Sequence, residues 1–130
     1  MRLMGIDYGG KRIGVALSDE SAGFAFAHSV LKNCPRCSTF NVEQIKKICE
    51  GNKVGKIVLG ESVDYKGRPN PIMAEIENFK KELEREIGLP VEYQRETLTT
   101  KEAERGQGKT GKIDASAAAL ILRSFLEQKK

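Results

Sequence analysis

The sequence is poor in the residues that build cysteine-based metal sites. Its 130 residues include three cysteines, one histidine and no tryptophan. Cys34 and Cys37 have the spacing of a metal or redox motif, but a structural zinc site needs four ligands. Neither a second pair nor a nearby histidine completes one. We therefore expect a loop in which Cys34 and Cys37 are reduced.

The sequence also lacks long apolar segments. No run of about 18 or more apolar residues is present, so the sequence supports no membrane span. The N-terminal segment Met1–Asp7 places a carboxylate where a signal peptide needs an apolar stretch. No internal repeat, low-complexity tract or linker is apparent. These absences predict one domain over residues 1–130, in the cytoplasm.

The charge balance is mildly basic. The formal net charge is +4, with 31% charged and 39% hydrophobic residues, which is typical of a globular protein. A positive net charge is compatible with a nucleic-acid partner but does not require one.

Hydrophobic periodicity predicts strands at the start of the chain. Arg2–Asp7 is a short apolar run, Arg12–Ser18 alternates between apolar and polar residues, and Phe24–Leu31 forms a third candidate strand. Gly9 and Gly10 predict a tight turn with positive φ between the first two strands. The three strands together predict an antiparallel meander.

Helices and strands then alternate. A helix follows Thr39 or Asn41, either of which could cap it. Next come a strand at 56–60 and a helix at Pro71–Ile87, which Gly88 is expected to end. The last two elements are a strand at Val91–Arg95 and a helix that Asp114 opens. This order predicts an α/β fold, with a mixed sheet and helices packed on it.

Four carboxylates lie at or near the predicted ends of these elements: Asp7, Glu61, Glu96 and Asp114. Carboxylates at strand ends project into a shared crevice, and phosphodiester hydrolysis by two Mg²⁺ or Mn²⁺ ions needs such a cluster. Each has a structural alternative: a turn former, a loop residue, a surface charge and a helix N-cap, respectively. From the residues alone, the pattern indicates an acidic metal site without fixing its members.

Several motifs resemble one known family. The segment Gly5–Ser18 (Gly-Ile-Asp-Tyr-Gly-Gly-Lys-Arg-Ile-Gly-Val-Ala-Leu-Ser) resembles the opening signature of the YqgF/RuvX family, and residues 70–75, 96–104 and 112–122 resemble its later motifs in the same order. The resemblance extends nearly from end to end. It implies a ribonuclease H-like fold, with a mixed five-stranded sheet (an antiparallel meander, then parallel strands) and helices on both faces. It also implies metal-dependent cleavage of nucleic acid.

The resemblance implies specific roles for individual residues. The acidic residues of the family fall on Asp7, Glu96 and Asp114, which would bind Mg²⁺ or Mn²⁺. Our hypothesis is that Glu61 supplements this cluster, because several ribonuclease H-like enzymes place a metal ligand after the corresponding strand.

Substrate contacts are expected next to these carboxylates. Gly9 and Gly10 would let substrate approach the backbone closely, and Lys11 and Arg12 would contact phosphates. Further basic residues that could follow the substrate backbone are Lys66, Arg68, Lys109 and Lys112.

Two departures from the family pattern concern the site. Arg95-Glu96-Thr97 stands where the family commonly has Asp-Glu-Arg, and Gly60-Glu61-Ser62 stands where it commonly has Gly-Leu-Pro. The glutamate of the first motif is kept, whereas Glu61 is an added carboxylate. The loop Gly106–Gly111 is also short for the family.

The resemblance favours maturation of the 5′ end of 16S rRNA and leaves alternatives. One is a Holliday junction resolvase, which would need a two-fold dimer, whereas an rRNA nuclease could act as a monomer. Another is a non-catalytic RNA-binding ribosome-assembly factor on the same fold. An ATP-binding domain of the actin or sugar-kinase type also begins with a strand and Asp-x-Gly, but it needs two such domains.

Overall fold

A mixed five-stranded sheet forms the centre of the molecule. The computed structural model describes residues 1–34, 38–62, 68, 70–95 and 111–128, without the side chains of residues 38, 39, 95 and 111–116. The elements are β1 (Arg2–Tyr8), β2 (Arg12–Ser18), β3 (Ala25–Lys32), α1 (Ser38–Asn52), β4 (Val54–Glu61), α2 (Met73–Ile87), β5 (Val91–Arg95) and α3 (Gly111–Gln128).

The strand order is β3-β2-β1-β4-β5. β1, β2 and β3 pair antiparallel as a meander, while β4 is parallel to both β1 and β5. This arrangement confirms the predicted mixed sheet. Because β1, β4 and β5 are parallel, their carboxyl ends lie at one edge of the sheet, which we call the carboxyl edge.

Helices cover both faces of the sheet, as expected. On one face α1 and α2 pack over β1, β2 and β4, and the largest fully buried side chains there are Met4, Ile6, Ile13, Leu17, Ile45, Ile57, Leu59, Ile76 and Leu83. On the other face α3 packs with Leu3, Ala16 and Val58, and contributes Ala118, Ile121, Leu122, Phe125 and Leu126. Full burial of one such large side chain is worth about 1.5–3 kcal/mol, so each face has its own hydrophobic core.

Side-chain alternation along β1 determines what faces each helix layer. Met4 and Ile6 face α1 and α2, whereas Leu3 faces α3. Gly5 also faces α3, since a Cβ atom there would lie 2.8 Å from both the Ala118 carbonyl oxygen and the Leu122 Cβ atom. The helix therefore approaches the backbone of the central strand closely. Asp7 is the next residue on this face.

Three predicted helix boundaries need correction. α2 begins at Met73, so Pro71 lies in the preceding turn. The helix ends at Ile87, and the C-cap residue Gly88, with a φ of 79°, confirms the predicted stop. α3 begins at Gly111, so Asp114 lies inside the helix and does not open it. α1 begins at Ser38, so neither Thr39 nor Asn41 is its N-cap; both lie inside the helix, and Asn41 is buried. None of the described helices is long and apolar enough to cross a membrane.

Candidate active site at the carboxyl edge of the sheet

Asp7 lies near the end of the central strand, and glycines occupy the strand positions beside it. Asp7 pairs with Gly14 of β2. On the other side Ile6 pairs with Leu59 of β4, so the same register brings Gly60 next to Asp7. Cross-strand neighbours project to the same face, and neither glycine has a side chain. The neighbouring strands therefore place no side chain directly beside the half-buried Asp7.

The first turns of α3 lie at the same edge of the sheet. Lys56, which pairs with Leu3 at the beginning of β1, has its Nζ atom 5.3 Å from the centroid of the Phe125 ring. The end of α3 therefore lies near the start of β1, and Ala118 lies at Gly5. Residue 114 precedes Ala118 by about one helical turn, and Asp7 follows Gly5 by two residues. The backbone at Asp114 is thus brought to the carboxyl edge near Asp7.

Glu61 is placed on the opposite face from Asp7. Continuing the β1–β4 register pairs it with Tyr8, whose ring lies 4.9 Å from that of Phe79 in α2. Burial raises the pKa of Tyr93, and the nearby carboxylates of Glu77, Glu61 and Glu84 raise it further. The Glu61 carboxylate thus acts on the face that α2 covers. This position argues against Glu61 binding a metal ion together with Asp7.

The remaining predicted ligand lies outside the described part of the chain. Glu96 directly follows β5, which ends at Arg95, but neither it nor Lys66 and Lys109 is among the described residues. Among the side chains that are described, no three histidine, cysteine, aspartate or glutamate residues form a metal-binding group. The half-buried carboxylate of Asp7, flanked by two glycines, suits a hydrated Mg²⁺ or Mn²⁺ ion, because these ions prefer oxygen ligands and keep several waters.

The turn between β1 and β2 lies directly beside Asp7. The Gly9 N–H donates to the Arg12 carbonyl oxygen at 2.8 Å, and a Cβ atom on Gly9 would lie 2.8 Å from that oxygen. The predicted positive φ is wrong for both glycines; close backbone approach explains Gly9 instead. Gly10 is exposed, and a Cβ atom added to it would have no neighbour within 4 Å. Lys11 and Arg12 are also exposed.

Alanine substitutions should separate the roles of the two glycines. Gly9→Ala should lower the free energy of unfolding by about 1–3 kcal/mol, because its Cβ atom would force the turn apart. Gly10→Ala meets no neighbour and should leave it unchanged within about 0.5 kcal/mol. Urea unfolding of both variants measures this difference, and equal destabilisation would contradict it.

Two buried asparagines adjoin this turn and were not predicted as site residues. The Asn33 side chain donates to the Gly9 carbonyl oxygen at 2.6 Å, and the Asn41 side chain donates to Asn33 Oδ1 at 2.9 Å. An asparagine after a strand or near the start of a helix is usually a turn or cap residue, so no sequence signal distinguished them.

Two of the three cysteines, Cys34 and Cys49, are among the described residues. Cys34 is disulfide-bonded, so the prediction that it is reduced is wrong. Both cysteines of the motif, Cys34 and Cys37, belong to the short segment between Lys32 and Ser38. Cys49 is a free, buried thiol. It lines a cavity of about 220 Å³ together with Lys46, Lys53 and Leu89, at the amino end of β4.

Cys49 should be chemically inert in the folded protein. Burial, assisted by the charge of Glu50, raises the pKa of its thiol to about 11, so the reactive thiolate is scarce near neutral pH. Iodoacetamide at pH 7.5 should modify Cys49 only after denaturation, as measured by mass spectrometry. Rapid modification of native protein would show that the thiol is accessible.

The architecture defines the class of the protein. The chain is similar to the Thermus thermophilus RuvC structure solved with a Holliday junction substrate, with a TM-score of 0.62, 20% identity, and coverage of 99% of this chain and 96% of that chain. It is also similar to the fowlpox virus resolvase solved with junction DNA, with a TM-score of 0.60, 13% identity, and 99% coverage of both chains. These similarities establish the ribonuclease H-like fold.

The sequence comparisons identify the family within that class. The profile of the RuvX family, described as Holliday junction resolvase, matches residues 1–128, and the chain belongs to this family. A relative from Maridesulfovibrio salexigens, named "Putative pre-16S rRNA nuclease", is 32% identical over 134 residues, covering 97% of this chain and 98% of the relative. A relative of the same name from Streptococcus pneumoniae (strain G54) is 33% identical, with 99% coverage of both. Membership of this family displaces the ATP-binding alternative.

Proposed function

We propose that this protein is a metal-dependent nuclease that hydrolyses phosphodiester bonds during 5′-end maturation of pre-16S rRNA. The observation that carries the proposal is the position of Asp7. It lies one residue before the end of the central strand, between two glycines, and on the face that α3, the helix containing Asp114, covers. The names of the full-length relatives support the rRNA substrate.

Asp7, Glu96 and Asp114 would hold Mg²⁺ or Mn²⁺. When bound, such ions would lower the pKa of a coordinated water and would supply positive charge for the developing negative charge of the reaction. Asp7 contributes its carboxylate from a rigid strand, which fixes the oxygens relative to the substrate. Hydrolysis of this kind needs no protein nucleophile, so the cysteines are dispensable.

The β1–β2 turn would bind the substrate next to the cleavage site. Gly10, Lys11 and Arg12 are exposed there, so phosphates can reach the backbone and the basic side chains from solvent. Gly9 shapes the turn, and Lys109 and Lys112 would extend the contact from the loop before α3 and its first turn. A single domain acting in the cytoplasm, as a monomer, suffices for this reaction.

The test is a parallel cleavage assay. A labelled 5′ fragment of pre-16S rRNA and a four-way DNA junction are each incubated with protein in Mn²⁺, in Mg²⁺ and in EDTA. Metal-dependent cutting of the RNA alone supports the proposal. Cutting of the junction alone favours the alternative that the family description names, a resolvase acting as a two-fold homodimer. RNA binding without cutting supports the non-catalytic assembly factor.

Glu61→Gln tests the supplementary ligand. Because the register places Glu61 on the α2 face, we expect cleavage and Mn²⁺ affinity to stay within about twofold of the wild type, a change typical of a surface substitution. Kinetics at varied Mn²⁺ concentration measure both quantities. A tenfold loss of Mn²⁺ affinity would restore Glu61 to the metal site.

A further inference from the structure

We propose that Asn33 is a positioning residue that holds the substrate-binding turn between β1 and β2, and that Asn41 orients it. This inference rests on the proposed function, because it assigns a purpose to the turn beside Asp7. Neither residue touches the reacting atoms in this assignment; both act through the backbone of Gly9 and Lys11.

Asn33 connects the turn to the body of the protein at several points. Its side-chain Nδ2 donates to the Gly9 carbonyl oxygen at 2.6 Å, and its backbone N–H donates to the Lys11 carbonyl oxygen at 2.9 Å. Tyr8, the last residue of β1, also lies close, because burial raises the pKa of its hydroxyl and the Asn33 side chain lowers that pKa in part. Asn33 thus contacts the first and third positions of the turn and lies beside its entry.

Asn41 fixes the orientation of the Asn33 amide. Its Nδ2 donates to Asn33 Oδ1 at 2.9 Å and to the Cys34 carbonyl oxygen at 3.2 Å. With its oxygen accepting from Asn41, Asn33 must direct its Nδ2 donor toward Gly9. The two side chains are only 6% and 2% exposed, so water cannot easily replace the lost bonds, and each unmade bond is costly.

Different interactions hold Asp7 and the turn in place. Asp7 is held by strand pairing with Gly14, which does not involve Asn33. The turn beyond Tyr8 has its own Gly9 to Arg12 hydrogen bond and the contacts from Asn33. Loss of Asn33 should therefore loosen the turn and weaken substrate binding while leaving the carboxylate in place.

The experiment compares Asn33→Ala and Asn33→Asp with a matched control, Asn52→Ala. Asn52 also donates from its side chain to a backbone carbonyl, that of Ile48, at 2.8 Å, but it lies in the last turn of α1, away from the β1–β2 turn. The readouts are hydrogen exchange of the Gly9 amide by NMR, KM and kcat for the RNA fragment, and thermal unfolding.

For Asn33→Ala we expect Gly9 amide exchange about tenfold faster or more, and KM raised about fivefold or more with kcat within about twofold, the scale of one lost buried hydrogen bond. Asn33→Asp should be worse, because a carboxylate oxygen would face the Gly9 carbonyl oxygen. Asn52→Ala should change neither Gly9 exchange nor KM at a comparable melting temperature.

Unchanged Gly9 exchange in Asn33→Ala, or an equal change in Asn52→Ala, would overturn the positioning role. Faster exchange with an unchanged KM would also overturn it, because the turn would then not bind substrate. If the wild type cuts no nucleic acid, the proposed nuclease function fails separately; Gly9 exchange and the RNA dissociation constant then decide whether Asn33 holds a binding turn.

Discussion

Asp7→Asn should abolish metal-dependent cleavage, with a loss of at least about 10²-fold, the scale on which active sites lose rate when one preorganised electrostatic group is removed. The amide keeps the shape of the carboxylate but lacks the negative charge that a hard divalent ion requires. Pairing of Asp7 with Gly14 uses backbone groups, so the variant should fold. Raising Mn²⁺ to the concentration that saturates the wild type should not restore cleavage by this variant.

The measurement is single-turnover cleavage of the RNA fragment, together with Mn²⁺ binding by calorimetry. Asp19→Asn is the matched control, because Asp19 lies at the opposite edge of the sheet and accepts hydrogen bonds from Ser21 and the Gly23 N–H. That variant loses a turn contact but should retain cleavage. Full activity of folded Asp7→Asn would remove Asp7 from the metal site and with it the proposed mechanism.

Gly5→Val should be the most damaging substitution for stability among the glycines discussed. Its Cβ atom would lie 2.8 Å from a backbone oxygen of α3 and from the Leu122 Cβ atom, and neither can swing aside as a flexible side chain would. We expect a loss of about 3 kcal/mol in the free energy of unfolding, at the upper end for overpacked cores. Movement of α3 away from β1 should also lower cleavage, since it carries Asp114 away from Asp7.

Chemical denaturation measures the stability, and cleavage by the folded fraction measures the activity. Gly51→Ala is the contrasting control. Gly51 lies within α1, where an added Cβ atom meets nothing within 4 Å, so alanine should raise stability by about 0.5–1 kcal/mol through the helix backbone. If Gly5→Val were as stable as the wild type, the close packing of α3 on β1 would be refuted.

The fold was largely predictable because its elements have strong periodicity. Alternation in β2 and the helical spacing of Ile76, Phe79 and Leu83 identify buried faces directly. Boundaries were less predictable, since a helix can extend beyond a residue that resembles a cap. Asp114 is the example: α3 begins three residues earlier, at Gly111.

Site residues were predictable only where the local sequence determines their position. Asp7 follows an apolar run, so its place at a strand end could be anticipated. Glu61 could not be assigned to a face, because a shift of one residue in strand register reverses the side chain's direction. Asn33 contacts Gly9 only once the meander and α1 have formed. Local sequence therefore does not predict this hydrogen bond.

The close approach of α3 to Gly5 also bears on folding kinetics. The residues in contact are more than about 110 positions apart, whereas the β1–β2 hairpin closes over a few residues. Distant contacts have a larger loop-closure cost and tend to form late. We therefore expect defects at this interface to accelerate unfolding more than they slow folding. Such variants would reach the native state at nearly normal speed but would have a shorter lifetime in it.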